Sequence, residues 1–165
     1  MWEPGFRHAE VRPARLYGWH RRLCLLSVTN RGTEERPGLV LAADRGGSCH
    51  GLAFRVAADH VEETRAYLWK RELSTDAYRP VDVRVWLGPG EPVTALTFVA
   101  RPEHRQYLRA QSPERAAELV CQGRGALGTS LDYLRNVVRH LDEIGIADGP
   151  LHQVLTIAET KAGER

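Results

Sequence analysis

The sequence places one glutamate in a position suited to acid–base chemistry. Residues 59–73 are predicted to form a helix, which opens with a capping box in which Asp59 takes the usual place of Ser or Thr. Val61 and Leu68 share one face of this helix. Because each helical residue advances by ~100°, Glu72 returns to within roughly 20° of that face. The apolar face of the predicted helix therefore ends in a carboxylate.

This position of Glu72 has two interpretations. Burial and the negative end of the helix dipole both favour the protonated form of a carboxyl group, and a glutamate that exchanges its proton near neutral pH suits a proton-transfer enzyme. Alternatively, Glu72 belongs to a frayed last turn and pairs with Lys70, Arg71 or Arg79. Periodicity alone favours the second interpretation.

The segment Gly123–Gly128 matches the G-x-G-x-x-G pattern of dinucleotide-binding loops. That pattern indicates dinucleotide binding only where a strand precedes it and a helix follows. Here the preceding residues are predicted to be helical, so we expect a turn between two helices and no nucleotide site.

Histidine and cysteine spacing gives no support for a metal or a covalent nucleophile. The seven histidines include no HxH or HExxH pair, and no G-x-S-x-G motif is present. Cys24 and Cys49 fall in predicted strands without an activating base nearby. We therefore expect neither a metal ion nor a cofactor.

Strands dominate the first part of the predicted fold, and helices dominate the last. The β-rich segments are Val11–Val28, Leu39–Ala43, Cys49–Val56, Val81–Leu87 and Val93–Val99. Beyond the helix over residues 59–73, helices are predicted at Pro113–Gln122, Thr129–Ile144 and Pro150–Thr160. In the second of these, Leu131, Leu134, Val138 and Leu141 make one apolar stripe. This order predicts an α+β protein with a small barrel or a strongly curved sheet.

Composition narrows the class of protein further. The 165 residues are predicted to form one domain, residues 1–165, and 42% hydrophobic content excludes a disordered chain. A net charge of +2 without a dense basic cluster argues against nucleic-acid binding. No apolar stretch reaches ~18 residues and no signal peptide is evident, so we expect no membrane association. Three widely spaced cysteines fit free thiols in a reducing cytosol, and we expect a cytoplasmic monomer.

Several segments occur in an order that is informative when they are taken together. They are Met1–Phe6, Arg15–Ser27, Arg31–Thr33, Pro37–Gly38, Gly46–Gly51, Tyr67–Leu73 and Gly125–Leu134. Their order resembles the ChaC-like γ-glutamylcyclotransferases over nearly the whole chain.

The resemblance implies an α+β fold in which helices flank a small β-barrel. It implies an enzyme that cleaves glutathione, a small-molecule substrate, to 5-oxoproline and cysteinylglycine without a cofactor. Glu72 falls on the family's catalytic glutamate, which reverses the preference that periodicity gave. Tyr133 matches a substrate-binding tyrosine, and Tyr78 matches the tyrosine that follows the catalytic glutamate. The alternative for both tyrosines is that they only pack as amphipathic rings.

The start of the sequence departs from the family pattern. The family begins with a strand ending in Tyr-Gly-Ser-Leu, whose backbone amides bind the α-carboxylate of the substrate, and Met1 corresponds to a position just after that loop. We expect a start codon assigned too late in preference to a lost first strand, and we predict an incomplete anion site in the 165-residue chain.

Two other functions stay open at this point. The enzyme could act on other γ-glutamyl amines or γ-glutamyl amino acids. Alternatively, the chain could be an inactive, truncated binding module of the same fold.

Overall fold

Strands precede most helices in the computed structural model, which describes residues 4–164. The elements in chain order are β1 (Glu10–Ser27), β2 (Gly38–Arg55), α1 (Val61–Glu72), β3 (Tyr78–Trp86), β4 (Pro92–Ala100), α2 (Pro113–Gln122), β5 (Arg124–Gly125), β6 (Gly128–Thr129), α3 (Ser130–Glu143) and α4 (Gly149–Gly163). The α+β prediction is confirmed. Met1 and Trp2, where the family resemblance opens, lie outside the described residues.

The four long strands close into a barrel in the order β1, β2, β4, β3. Antiparallel pairing of β3 with β4 runs from Tyr78 opposite Ala100 to Trp86 opposite Pro92. β1 pairs antiparallel with β3, and β2 pairs parallel with β4. The predicted barrel is therefore confirmed, and a hairpin joins β3 to β4.

β2 corrects the prediction of two separate strands around residues 45–47. The chain stays in one strand from Gly38 to Arg55. Gly46 and Gly47 have φ values of 97° and 62°, a region that favours glycine, so they bend the strand between the two segments that were predicted as separate strands. The carbonyl of Gly46 lies 3.0 Å from Nδ1 of His20 on β1, so the bent strand stays bound to its neighbour.

The start of α1 also differs from the prediction. A 3₁₀ turn, Ala58–His60, precedes the helix, and the N-cap is His60 without a side-chain capping bond, so Asp59 does not cap it. Val61 is 41% exposed and does not begin a buried face. The buried residue of α1 is Thr64, and Leu68 and Glu72 follow it at helical spacing. Glu72 therefore lies on the inward face for a different reason from the one the sequence suggested.

The two helices α2 and α3 match their predictions almost residue for residue. Ser112 caps α2 by accepting a hydrogen bond from the Arg115 amide, and Pro113 occupies its first turn. Thr129 caps α3 by accepting from the Asp132 amide at 3.0 Å. The predicted stripe of α3 is confirmed, because Leu134, Val138 and Leu141 are buried and Leu131 packs against them.

Contacts divide the chain into two compact units. One contains the described residues up to Arg21 together with Ala43–His104, and therefore α1, β3 and β4. The other contains Arg22–Ala42 and the residues from Arg105 onward, with α2, α3 and α4 around an apolar core. That residues 1–165 make one domain stays a prediction. Within residues 4–164, no helix has both the length and the apolar character needed to cross a membrane.

Candidate active site

Glu72 is the last residue of α1 and is largely shielded from solvent. Its side chain is 16% exposed, and its carboxylate Oε1 accepts a hydrogen bond from Arg71 Nε at 2.8 Å. The next residue, Leu73, still donates its amide to the Trp69 carbonyl, so the helix end is formed and not frayed. The ion pair that the second interpretation named is therefore present, but on an ordered helix end.

Arg71 is held by more than its pairing with Glu72. Its Nη1 donates to the Tyr67 hydroxyl at 3.0 Å and to the Pro4 carbonyl at 2.9 Å. Burial lowers the pKa of Arg71, but hydrogen bonds and charge interactions with Tyr67 and Glu72 outweigh burial and raise that pKa overall. The guanidinium therefore keeps its charge beside the Glu72 carboxylate.

Tyr78 belongs to the same unit as Glu72, at the other end of the connection over residues 73–77. It is the first residue of β3, lies opposite Ala100 on β4, and is half-buried. The connection is held in place because Asp76 pairs with Arg101, whose amide donates to the Ala77 carbonyl at 3.0 Å. Glu72 and Tyr78 thus lie at the two ends of a short, anchored segment.

Tyr133 lies on α3 in the other unit. Its hydroxyl accepts a hydrogen bond from the Leu41 amide of β2 at 3.2 Å, and the Arg31 guanidinium lies 5.6 Å from its ring centre. This hydroxyl therefore has a structural partner, which the sequence did not reveal. The roles of Tyr133 and Tyr78 in binding substrate stay predictions.

The Gly123–Gly128 segment is a close-packed turn, as predicted. α2 precedes it and α3 follows it, with the two-residue strands β5 and β6 between them. A Cβ on Gly123 would lie 2.3 Å from the Gly38 Cα, and one on Gly125 would lie 2.3 Å from the Thr29 carbonyl oxygen. These glycines let backbones cross, so packing explains the motif.

Two surface grooves are lined by residues of the second unit. The larger, of about 670 Å³, is lined by residues of α3 and α4, and the smaller, of about 490 Å³, has Cys121 in its wall. Neither is lined by Glu72, Tyr78 or Tyr133. Among residues 4–164, no group of three His, Cys, Asp or Glu side chains is arranged to hold a metal ion.

Sequence reasoning missed two cations near the predicted site residues. Arg71 was named only as a possible partner of Glu72, and Arg31 was not singled out. The bond of Arg71 to Pro4 joins residues that are 67 positions apart, so spacing alone could not have found it. Tyr67 at position i−4 from Arg71 was the one local signal, because such pairs meet on a helix surface.

Comparison with known proteins gives one consistent result. The profile of the family described as ChaC-like protein matches residues 1–161. The glutathione-specific gamma-glutamylcyclotransferase of Escherichia coli K12 is 34% identical over 155 residues, which cover 94% of this chain and 67% of that protein. Glutathione-specific gamma-glutamylcyclotransferase 1 of Mus musculus is 33% identical, covering 81% of this chain and 62% of that protein. The chain thus spans about two thirds of the length of either relative.

A solved structure agrees with this result at the level of the fold. The crystal structure of the yeast gamma-glutamyl cyclotransferase specific to glutathione superposes with a TM-score of 0.81 at 18% identity, covering 93% of this chain and 89% of that one. Because the profile match takes in nearly every residue, the chain belongs to the ChaC-like protein family.

Proposed function

We propose that this protein is a γ-glutamylcyclotransferase that converts glutathione to 5-oxoproline and cysteinylglycine. The observation that carries the proposal is the position of Glu72, a shielded carboxylate at the end of α1, on the residue that the sequence resemblance assigns to the family's catalytic glutamate. The curated relatives named above support glutathione as the substrate, since both are named for that specificity.

The proposed reaction needs no nucleophile from the protein. The α-amino nitrogen of glutathione attacks its own γ-carbonyl carbon, a new C–N bond closes the five-membered lactam, and the bond to the cysteinyl nitrogen breaks. Holding the substrate in its folded conformer makes this step effectively unimolecular. Backbone N–H donors would stabilise the oxyanion of the tetrahedral intermediate.

Glu72 is assigned the proton transfers of this reaction. The α-amino group is protonated at neutral pH and must lose a proton before it attacks, and the Glu72 carboxylate accepts that proton. Glu72 passes this proton to water and accepts a second one from the same nitrogen as the new C–N bond forms, and the departing amine of cysteinylglycine then takes that second proton from the carboxyl group. One group that acts as base and then as acid is sufficient, so neither a metal nor a cofactor enters the scheme.

The substrate contacts are part of the proposal. Tyr78 and Tyr133 are assigned to substrate binding by their match to family positions, and both are half-buried tyrosines, a residue type that places a polar hydroxyl at the end of an apolar ring. We assign the protein to the cytoplasm, where glutathione maintains the reducing poise, as a monomer without a nucleic-acid partner.

The direct test is a product assay with purified protein. Release of 5-oxoproline and cysteinylglycine from glutathione, with little release from γ-glutamyl amines or single γ-glutamyl amino acids, is the expected result. Comparable turnover of those other compounds would contradict the substrate assignment. Glutathione binding without 5-oxoproline would contradict the enzyme and indicate a binding module, and size-exclusion chromatography checks the monomer.

A further inference from the structure

One guanidinium group connects three parts of the first unit. Arg71 donates from Nε to Glu72 Oε1 at 2.8 Å, and from Nη1 to the Tyr67 hydroxyl at 3.0 Å and the Pro4 carbonyl at 2.9 Å. Tyr67 lies one turn earlier on α1, whereas Pro4 belongs to the segment before β1. Because a guanidinium is planar and its donors diverge at fixed angles, contacts on several sides fix its orientation.

The two oxygens of Glu72 are left in different states by this contact. Oε1 accepts from Arg71, while Oε2 accepts no hydrogen bond from residues 4–164. Proton transfer requires one carboxylate oxygen within about 2.6–3.2 Å of the amine that loses the proton. A carboxylate with one oxygen held and the other available meets this requirement without rotating.

We propose that Arg71 is the positioning residue for the acid/base: its Nε–H holds Oε1 of Glu72 so that Oε2 exchanges the proton with the substrate amine. This rests on the proposed function, in which Glu72 moves that proton. Arg71 itself acts only through Glu72.

The segment before β1 supports Arg71 from outside the helix. Gly5 has a φ of +71°, and a Cβ at this position would lie 2.2 Å from the Tyr67 hydroxyl oxygen, so the chain passes directly over Tyr67. Phe6 packs edge-to-face on Phe54 of β2 with ring centres 5.8 Å apart, which fastens the segment to the barrel. Alanine at position 5 would therefore displace Tyr67 and loosen Arg71 without altering a residue of α1.

The experiment compares glutathione turnover in the wild type, Arg71→Met, Arg71→Lys, Gly5→Ala and a matched control, Lys70→Met, which removes the adjacent exposed cation of α1. We expect kcat of Arg71→Met to fall by about 10²-fold, because misplacing a reacting group by ~1 Å has that effect. KM should change by less than about threefold, since Arg71 does not bind the substrate. Arg71→Lys restores the positive charge but not the planar fork of donors, so its kcat should lie between the kcat of Arg71→Met and that of the wild type.

The split between kcat and KM separates positioning from simple destabilisation. We expect Arg71→Met to lose kcat at a nearly unchanged KM and Lys70→Met to keep both values, because only the first variant removes the donor that holds Oε1 of Glu72. If Arg71→Met fails to fold, Arg71→Lys and Gly5→Ala take its place, with the same direction expected for kcat. A kcat equal to that of Lys70→Met, while Glu72→Gln is inactive, would overturn the proposal.

Failure of the proposed function gives a different result from failure of the positioning role. A wild type that folds but releases no 5-oxoproline contradicts the enzyme assignment, and the positioning role of Arg71 is then tested by crystallography. In that case a crystal structure of Arg71→Met in which the Glu72 carboxylate has moved supports the role of Arg71. An unchanged carboxylate position overturns it.

Discussion

At the scale of single residues, the proposed reaction depends first on Glu72, which is assigned the proton transfers. Replacing it with glutamine keeps the shape of the side chain and removes its ability to take up a proton. We expect turnover of glutathione by Glu72→Gln to fall by ~10²–10⁴-fold while the protein stays folded. The matched control is Glu62→Gln, an exposed glutamate in the first turn of the same helix, which should keep wild-type turnover. Near-wild-type release of cysteinylglycine by Glu72→Gln would refute the assignment.

Tyr133 is predicted to have both a structural and a binding role. Its hydroxyl accepts the Leu41 amide at 3.2 Å, so Tyr133→Phe removes an acceptor from a half-buried N–H group. The match to a substrate-binding tyrosine predicts lower turnover, and the contact predicts an additional loss of about 1 kcal/mol of unfolding free energy. Urea unfolding and turnover measured on Tyr133→Phe, with the exposed Tyr17→Phe as control, check both effects. Unchanged turnover together with lower stability would leave Tyr133 with packing alone.

The limits of sequence reasoning are visible at Glu72 itself. Periodicity placed this residue on the inward face, but it counted from Val61, which is exposed, when Thr64 is the buried residue of that face. The placement of Glu72 is still correct, because Thr64, Leu68 and Glu72 are spaced four residues apart and positions four apart share a helix face. The bond from Arg71 to Pro4 was beyond this reasoning, since it joins residues separated by 67 positions.

At the scale of elements, the ends of α2 were predictable, whereas the start of α1 and the bend in β2 were not. Ser112, Pro113 and Gly123 mark α2 through local chemistry that acts within a few residues, so its bounds followed from the sequence. A pair of glycines supplies the same conformations to a turn and to a bulge inside a strand. Only the partner strand decides between them, and for Gly46 that partner includes His20 on β1.

Backbone crossings at glycine give a prediction for the elements of the second unit. Gly123 ends α2, and a Cβ there would lie 2.3 Å from the Gly38 Cα and 2.5 Å from the Arg31 carbonyl oxygen. Because both neighbours are backbone atoms, Gly123→Ala should lower the unfolding free energy by about 2 kcal/mol or more. Gly149→Ala, at the start of α4 where nothing lies within 4 Å, is the control and should be nearly neutral. Equal stabilities in urea unfolding would show that this crossing is looser than its geometry indicates.

For the whole molecule, the family profile matches the chain as one continuous segment, whereas its contacts divide it into two compact units. The ChaC-like profile spans residues 1–161, across both compact units, although Glu72 and Tyr78 belong to one unit and Tyr133 to the other. β1 and β2 each contribute residues to both units. The proposed site residues are therefore distributed over the molecule, and composition could indicate only its size and class.

The stability of the whole molecule should depend on the protonation of His152. Its Nδ1 lies 2.7 Å from the Asp148 carbonyl oxygen and its Nε2 lies 2.9 Å from Asp142 Oδ1. Both partners only accept hydrogen bonds, so both contacts form at once only when the ring is protonated on both nitrogens. The hydrogen bond to the Asp148 carbonyl, followed by that to Asp142, raises the pKa of His152 above its ordinary value of 6.5.

This direction fixes the sign of the pH effect. A pKa raised in the folded state contributes stability that is fully present below the unfolded value of about 6.5 and is lost as the pH rises through the folded value. His152→Gln should therefore lower the unfolding free energy most at acidic pH, and its difference from the wild type should shrink as the solution becomes alkaline. His50→Gln, which removes an exposed histidine of β2, is the matched control for the loss of an imidazole. Urea unfolding of the three proteins over a pH series measures the effect, and a difference between His152→Gln and the wild type that is constant with pH would refute the protonated bridge between α3 and α4.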